Sequence, residues 1–381
     1  MRRSEAKTGA GTRAGALALL GAFCLWASPA AGAETLTIVT WGGAYEESQR
    51  IAYFEPFTRA TGIEIEIVRY DGGLDEVRRH LDARDGAPTW DVVDMVLPDA
   101  ERACTAGLIA PIEPSILADA PDGTPAEEDF MADAIGRCWV GQLVYSTVFA
   151  YDERAFPGLK PRSVADLFDV ERFPGVRALQ RAPIAVLEWA LLSYDVPRAQ
   201  IYDLLSTERG LDLAFRRLDR LRGHLTWWRD GSAPPRLLEQ GRAAIASGYN
   251  GRFFAAIAER DAPIAIVWDG QLLDQATWTV LDGADDAEAA RRFIAFATRA
   301  DRLAAQASLI SYGPTRRSAR ERIGRYADSN IPMRPHLPTA PRHMERAIVQ
   351  DHAWYARTER LRRRRFEAWL ESLPSTGPQA E

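Results

Sequence analysis

Two hydrophobic patterns alternate over the first hundred residues after the N-terminal segment. Three apolar, β-branched runs have the spacing of strands: Thr35 to Trp41, Ile63 to Tyr70 and Trp90 to Pro98. Amphipathic stretches with helical spacing separate them, and the first of these ends at Gly62. This alternation predicts a βαβαβ unit with a parallel, doubly wound sheet. Ligands bind beyond the carboxyl ends of strands in such sheets, which is where Trp41 and Asp99 are expected to lie.

The rest of the chain mixes the same two patterns. Further strands are predicted at Gln142 to Asp152, Ala244 to Arg252, Ala262 to Gly270 and Ala276 to Leu281. Further helices are predicted at Pro183 to Val196, Gly210 to Arg222, Pro235 to Ser247, Asp286 to Ile310 and Arg342 to Leu373. The four arginines Arg362 to Arg365 are interpreted as a solvated face of the last helix, because the chain as a whole is acidic. The fold class is therefore α/β.

The N-terminal segment has the composition of an export signal. Four basic residues precede an apolar stretch from Ala14 to Ala27, and the small residues Ala31 to Ala33 follow it. The apolar stretch is shorter than the roughly 20 residues that a membrane-spanning helix needs. We predict that residues 1–33 are a cleaved signal peptide and that the mature protein is soluble in the periplasm.

Charge, length and cysteine content narrow the possible classes of protein. Removing a segment with four basic residues and one acidic residue changes the formal net charge from −6 to −9, which argues against a nucleic-acid partner. The remaining 348 residues exceed what one hydrophobic core usually organises, so two domains are expected. Cys104 and Cys138 are predicted to form a disulfide, with two buried free thiols as the alternative.

An ordered set of segments resembles a known family. These segments are TWGGAYEESQ, TWDVVDMVLPDAERACTAGLIAPIE, GYNGR, IVWDGQLLDQATWTV and YGPTRRSAR. Together they resemble the solute-binding proteins of bacterial ABC importers, and the spermidine/putrescine-binding group in particular. The resemblance runs in order from Thr35 to about Trp369.

The resemblance implies two doubly wound α/β lobes joined by a two-segment hinge, the type 2 periplasmic binding protein fold. Lobe 1 would comprise residues 34–141 and 277–320, and lobe 2 residues 142–276 and 321–381. The implied partners are a small-molecule solute, polyamine-like in this group, and transiently an ABC permease in the inner membrane. The protein would act as a monomer, without a cofactor. Ligand-driven closure of the lobes would create the form that the permease recognises.

Motif matching places four aromatic residues in the ligand cleft: Trp41, Tyr45, Tyr249 and Tyr312. Aromatic faces attract cations such as a protonated amine, although aromatic residues more often belong to a core. Their positions at strand ends and beside turn glycines favour the cleft for these four. Trp189 and Trp228 are assigned to the core.

The carboxylates of the polyamine-binding group are missing at their matched positions. The segment Arg181 to Ala185 contains no acid, and Ala276 stands where an aspartate is expected. Asp99 and Asp274 are the candidate substitutes in the site. Asp269 and Glu188 are further candidates, and each of the four could instead be an ordinary structural residue.

Two arginines point to a ligand with an acidic end. Arg181 and Arg252 lie beside segments that the family uses for its pocket, and a guanidinium binds a carboxylate through a bidentate fork. A helix beginning near Ala44 would also favour an anionic group. A zwitterion therefore fits these residues at least as well as a polyamine does. The alternative is that both arginines are solvated.

Functions from other classes find little support in the motifs. The chain has no HExxH, GxSxG or P-loop sequence, and its five histidines are dispersed, so we predict neither an enzyme nor a metal site. A ferric-ion binder of related fold would be expected to carry adjacent tyrosines, which this sequence lacks.

Overall fold

The fold is that of a computed structural model, which describes residues 34–83, 90–327 and 329–373. The predicted signal peptide, residues 1–33, lies outside the described residues. Within the described ranges, no helix combines the length and the apolar character needed to cross a membrane.

Eleven strands form one mixed sheet in the described part of the chain. In chain order they are β1 (Thr35–Thr40), β2 (Glu64–Arg69), β3 (Val92–Val96), β4 (Ile109–Ala110), β5 (Val140–Asp152), β6 (Arg177–Gln180), β7 (Leu225–Trp228), β8 (Ile245–Tyr249), β9 (Ile264–Leu281), β10 (Gly313–Pro314) and β11 (Ile348–Val349).

Helices connect these strands. In chain order they are α1 (Ala44–Gln49), α2 (Glu55–Thr61), α3 (Leu74–Asp82), α4 (Leu97–Thr105), α5 (Ala126–Asp129), α6 (Val164–Phe168), α7 (Val186–Leu192), α8 (Ile201–Leu205), α9 (Glu208–Leu218), α10 (Ala233–Glu239), α11 (Asn250–Arg260), α12 (Ala287–Ala297), α13 (Ala300–Ala307), α14 (Arg317–Arg320), α15 (Pro341–Met344) and α16 (His352–Glu371). A π-helical turn, Arg50–Phe54, joins α1 to α2.

The sheet consists of two parallel parts joined by two long antiparallel strands. Its order is β2-β1-β3-β9-β5-β8-β6-β7. Strand β1 is parallel to both β2 and β3, which confirms the predicted βαβαβ unit. Strand β6 is likewise parallel to β7 and β8. Strands β5 and β9 pair with each other over most of their length, and both parts of the sheet share them.

The main differences from the predicted elements lie between Pro235 and Leu281. The predicted helix from Pro235 to Ser247 ends at Glu239, and the following apolar residues belong to β8. Two predicted strands are one strand, β9. The side-chain amide nitrogens of Gln271 and Gln275, which lie between them, donate to distant backbone carbonyls. Gln271, for example, donates to the carbonyls of Pro338 and His343, and such long-range pairing leaves no local signal.

Two large hydrophobic cores lie against the sheet. One contains Trp278 and Phe293, and the other contains Phe149 and Trp189. Trp189 and Trp228 are 0% and 1% exposed, as predicted for core residues. The indole N–H of Trp189 donates to the carbonyl of Gly270 in β9 at 2.7 Å. Gly270 has a positive φ of 67°, so this hydrogen bond holds β9 at an irregular point of its backbone.

A disulfide joins Cys104, in α4, to Cys138, immediately before β5. It confirms the predicted pairing. Both cysteines belong to a hydrophobic cluster with Val93 and Met95 of β3. The bridge therefore holds the C-terminal end of α4 close to the sheet. Closing a loop of 34 residues contributes roughly 3 to 4 kcal/mol in the chain-entropy description.

Candidate functional site

A cavity of about 940 Å³ lies at the carboxyl ends of β1, β3, β6 and β7. This is the position expected for a ligand in doubly wound sheets. All eight residues predicted for the ligand site line this one cavity: Trp41, Tyr45, Asp99, Arg181, Tyr249, Arg252, Asp274 and Tyr312. The structure therefore brings together residues that are up to 271 positions apart in the chain.

Five aromatic rings, here called the aromatic cluster, form one wall of the cavity: Trp41, Tyr45, Tyr145, Tyr249 and Tyr312. The ring centroids of Tyr45 and Tyr312 are 5.8 Å apart, and those of Tyr145 and Tyr249 are 5.5 Å apart. Both pairs meet edge to face, so ring faces remain available to a ligand cation. Tyr145 was not predicted, because it lies in the middle of the long strand β5.

The glycine turn after β1 brings the cluster close to an arginine. Gly43 has a positive φ of 74°, and a Cβ atom there would lie 2.8 Å from the Arg252 guanidinium. The positive φ favours glycine, and a larger residue would displace the Arg252 guanidinium. Helix α1 follows with Glu46 and Glu47 in its first turn, as expected. Glu46 binds Arg69 at 2.5 Å, so this carboxylate is already occupied.

A buried carboxylate, that of Asp94 in β3, is hydrogen-bonded to the aromatic cluster. Its Oδ2 accepts hydrogen bonds from the Tyr45 hydroxyl and the Gln49 amide, both at 2.7 Å. Burial raises the pKa of Asp94 to about 7, although these hydrogen bonds act in the opposite direction. Asp94 was not predicted from the sequence. The feature that could have indicated its role is an acidic residue inside an otherwise apolar strand.

The two predicted acids in the cavity have different environments. Asp274 accepts a hydrogen bond from the Tyr145 hydroxyl at 2.8 Å, and burial raises the pKa of Asp274 to about 7. Asp99 instead binds Arg102 at 2.6 Å, and Arg102 also lies 3.5 Å from Glu359. No cationic side chain of the described residues pairs with Asp274. It is therefore the acid that is available to a ligand ammonium group.

Within the part of the chain that the structure describes, the two predicted arginines have no acidic partner. Arg252 donates from Nη2 to the carbonyl of Gly42 at 3.1 Å, across 210 residues of sequence. Arg181 follows β6 directly, and its backbone N–H donates to the carbonyl of Trp228. Of the carboxylates in the described ranges, none lies within ion-pairing distance of either guanidinium. Both can bind a ligand carboxylate without first breaking an ion pair.

Two further acids considered from the sequence are outside the cavity lining. Asp269 pairs with Arg346 and caps the backbone N–H of Val164. Glu188 is fully buried and accepts from the Tyr355 hydroxyl at 2.6 Å. Both have structural partners, so Asp274 and Asp99 are the predicted acids that reach the site.

The expectation of a solvated arginine face is wrong for Arg362. This residue is 5% exposed, and its guanidinium lies 4.0 Å from the Tyr355 ring centroid. It donates to the carbonyls of Pro183 and Tyr355, and it lines the cavity. Helix α16 packs one face against the bend at residues 181–185, and this long-range contact determines which of the four arginines is buried.

A protein-family model matches most of the chain. The model described as "Bacterial extracellular solute-binding protein" matches residues 52–339. Among curated proteins, the chain is 34% identical to the gamma-aminobutyric acid-binding protein of Pseudomonas aeruginosa, over 90% of this chain and 93% of that relative.

Solved structures share the fold over nearly the same range. The binding protein MotA from A. tumefaciens B6, in complex with glucopine, has a TM-score of 0.79 and 24% identity, covering 88% of this chain and 99% of MotA. The binding protein AgtB from A. tumefaciens R10, in complex with agropinic acid, has a TM-score of 0.76 and 26% identity, covering 89% and 99%. The similarity agrees with the two α/β lobes of type 2 periplasmic binding proteins.

Proposed function

The chain belongs to the family of bacterial extracellular solute-binding proteins, and we propose that it captures a small zwitterionic amino acid in the described cavity. Members of this family serve ABC transporters and are not enzymes. The specific proposal is a ligand of the 4-aminobutanoate class, with one carboxylate and one ammonium group.

One observation carries this proposal: the same cavity is lined by Arg252 and Arg181, which have no ion-pair partner among the described residues, by the acid Asp274, which likewise has none, and by the aromatic cluster. Arg252 binds the ligand carboxylate, because a guanidinium forms charge-assisted hydrogen bonds with it and has no competing acid. The ammonium group binds Asp274 and the faces of the aromatic cluster. The curated relative supports this assignment, since it is named for gamma-aminobutyric acid.

A polyamine has no acidic group for Arg252 and needs at least two acids for its ammonium groups. The matched family carboxylates are absent at Ala276 and in the segment from Arg181 to Ala185. Asp99 is already paired with Arg102. A polyamine is therefore the alternative against which the proposal is tested.

A larger amino-acid conjugate is a second candidate, and the size of the cavity favours it. A volume of about 940 Å³ is near the upper end of the usual 300 to 1,000 Å³ for ligand pockets, well above the needs of a four-carbon amino acid. AgtB, at 26% identity, is described in complex with agropinic acid.

The transport cycle that we propose follows from the two lobes. Lobe 1 comprises residues 34–141 and 277–320, lobe 2 residues 142–276 and 321–381, and the ligand closes one against the other. The closed monomer then delivers the solute to an ABC permease. Cleavage after Ala33 releases the mature protein into the periplasm.

A thermal-shift panel tests the ligand class. At a concentration 100 times its Kd, a ligand stabilises the folded protein by about 2.7 kcal/mol, which raises the Tm by about 4 °C in a protein of this size. We expect this shift with 4-aminobutanoate and its longer homologues, and none with putrescine or spermidine. A shift with polyamines alone would overturn the proposed ligand class.

The affinity for the ammonium group should depend on pH. In the free protein the pKa of Asp274 is raised to about 7, whereas a bound ammonium favours the ionised carboxylate. Below pH 7 binding must therefore remove a proton from Asp274, and the affinity should fall by up to about tenfold per pH unit. The ligand keeps its charges, since an aliphatic ammonium has a pKa of about 10. Calorimetry between pH 5.5 and 8.5 measures this dependence.

The Asp274→Asn variant is the matched control for that measurement. It retains the size of the side chain but cannot ionise, so its affinity should be low and independent of pH. If the variant keeps the pH dependence of the parent protein, another group is responsible, and Asp94 would be the next to test.

A further inference from the structure

We propose that the ligand carries a second acidic group, which binds a second cationic subsite formed by Arg181 and Arg229. The ligand class is then an amino acid with two carboxylates, one on Arg252 and one on this pair. The inference rests on the proposed function, because it adds a group to the same bound zwitterion.

The register of two neighbouring strands places these arginines side by side. Strands β6 and β7 are parallel, and Gln180 is opposite Trp228 at their carboxyl ends. The next residue on each strand is an arginine, and the backbone N–H of Arg181 donates to the carbonyl of Trp228 at 2.9 Å. Arg181 and Arg229 both line the cavity. Two guanidinium groups thus start from adjacent points on one cavity wall.

A third guanidinium adds positive charge to the same region. Arg362 reaches this region from α16 and donates to the carbonyl of Pro183 at 3.2 Å, two residues after Arg181. It is held there by its contacts with Tyr355 and by the Thr358 hydroxyl, which accepts from its Nε at 3.0 Å. Arg362 is therefore a positioning residue for the bend at residues 181–184, and it raises the local potential.

Arg181, Arg229 and Arg362 differ in ion pairing from the other arginines of the cavity, although the charge of Arg362 acts on the buried Glu188. Three other arginines of the cavity wall are paired: Arg69 with Glu46, Arg102 with Asp99 and Arg363 with Glu359. Over the ranges that the structure describes, no carboxylate forms an ion pair with Arg181, Arg229 or Arg362. Asp230, next to Arg229 in the chain, is used by Ser232 and Arg236.

As many acidic residues as arginines line the cavity, so the ligand charge that fits depends on the position of the unpaired arginines and not on a net positive charge. A single ligand carboxylate on Arg252 leaves the Arg181 and Arg229 pair without an anion, and like charges in a partly enclosed cavity repel each other. A second carboxylate removes this repulsion and forms charge-assisted hydrogen bonds with the pair.

Matched ligand pairs test the second subsite. Each pair consists of a monoacid and the diacid that carries one additional carboxylate. The pairs are 4-aminobutanoate with glutamate, 5-aminopentanoate with 2-aminohexanedioate, and 6-aminohexanoate with 2-aminoheptanedioate. Calorimetry on the full mature chain at pH 7.5 should show that at least one diacid binds about tenfold or more tightly than its monoacid partner. The best diacid also reports the distance between the two subsites.

The Arg229→Gln variant tests whether the preference for diacids depends on Arg229. The matched control is Arg216→Gln. Arg229 is exposed and no tertiary hydrogen bond of its side chain is seen among the described residues, so its loss should not unfold the protein. Arg216 is an equally exposed arginine of α9 outside the cavity. We expect Arg229→Gln to remove most of the diacid preference, and Arg216→Gln to retain it.

The outcomes separate the two proposals. If monoacids bind but no diacid binds more tightly, the second subsite is overturned while the proposed function stands, and these arginines are solvated. A diacid preference that survives in Arg229→Gln also overturns the second subsite. If neither series binds and only polyamines do, the proposed function itself fails.

Discussion

The Arg252→Gln variant is expected to bind 4-aminobutanoate or the best amino acid of the panel at least about 100-fold more weakly than the parent protein. This corresponds to about 2.7 kcal/mol, within the range for charge-assisted hydrogen bonds to a carboxylate. Arg252 lies next to Gly43, in the turn that precedes α1. Glutamine keeps part of the side chain but removes the charge and the fork.

The control for this prediction lies on the same helix. Arg260, at the end of α11, is exposed and pairs with Glu239 on the surface, so Arg260→Gln should leave the affinity unchanged. Calorimetry on both variants measures the effect, and circular dichroism verifies that both are folded. An unchanged affinity in Arg252→Gln would mean that the guanidinium does not bind the ligand and serves only to hydrogen-bond the carbonyl of Gly42.

The Arg316→Met variant is expected to lose about 3 to 5 kcal/mol of the free energy of unfolding. Arg316 is fully buried, and its Nε donates to Asp129 at 2.7 Å. Further N–H groups donate to the carbonyls of Thr298 and Ala118. Removing the guanidinium leaves a buried carboxylate without its cation. Urea denaturation monitored by circular dichroism gives the difference.

Two variants define the origin of that loss. Arg322→Met replaces an exposed arginine of the same segment and should change the stability by less than about 0.5 kcal/mol. The double variant Asp129→Asn with Arg316→Met should be less destabilised than the sum of the single changes, because neither charge is then left unpaired. Strict additivity would argue against a coupled buried pair.

The candidate site could be predicted to a large extent from strand ends and turn glycines. Trp41, Tyr249 and Arg181 each follow or end a strand, and parallel strands bring their carboxyl ends to one edge of the sheet. Tyr145 and Asp274 are different, because they lie inside the long strands β5 and β9. Only Asp274 was predicted, through its position in a motif that resembles the family.

Parts of the site that depend on partners could not be predicted. Asp94 and Arg362 both look ordinary in the sequence, one in an apolar strand and the other in a run of arginines. Their burial depends in part on distant residues: Tyr45 is 49 positions from Asp94, and Pro183 is 179 positions from Arg362. Periodicity is a local property and carries no information about such contacts.

The sequence by itself determined the α/β class, the parallel βαβαβ unit and the aromatic residues of the opening turn, because these follow from spacing along the chain. The tertiary structure alone decided which charges are free. Glu46 and Asp99 are neutralised by arginines, whereas Arg252 and Arg181 are not. Ion pairing depends on distances between side chains across the fold, and these distances determine the ligand charge that the cavity accepts.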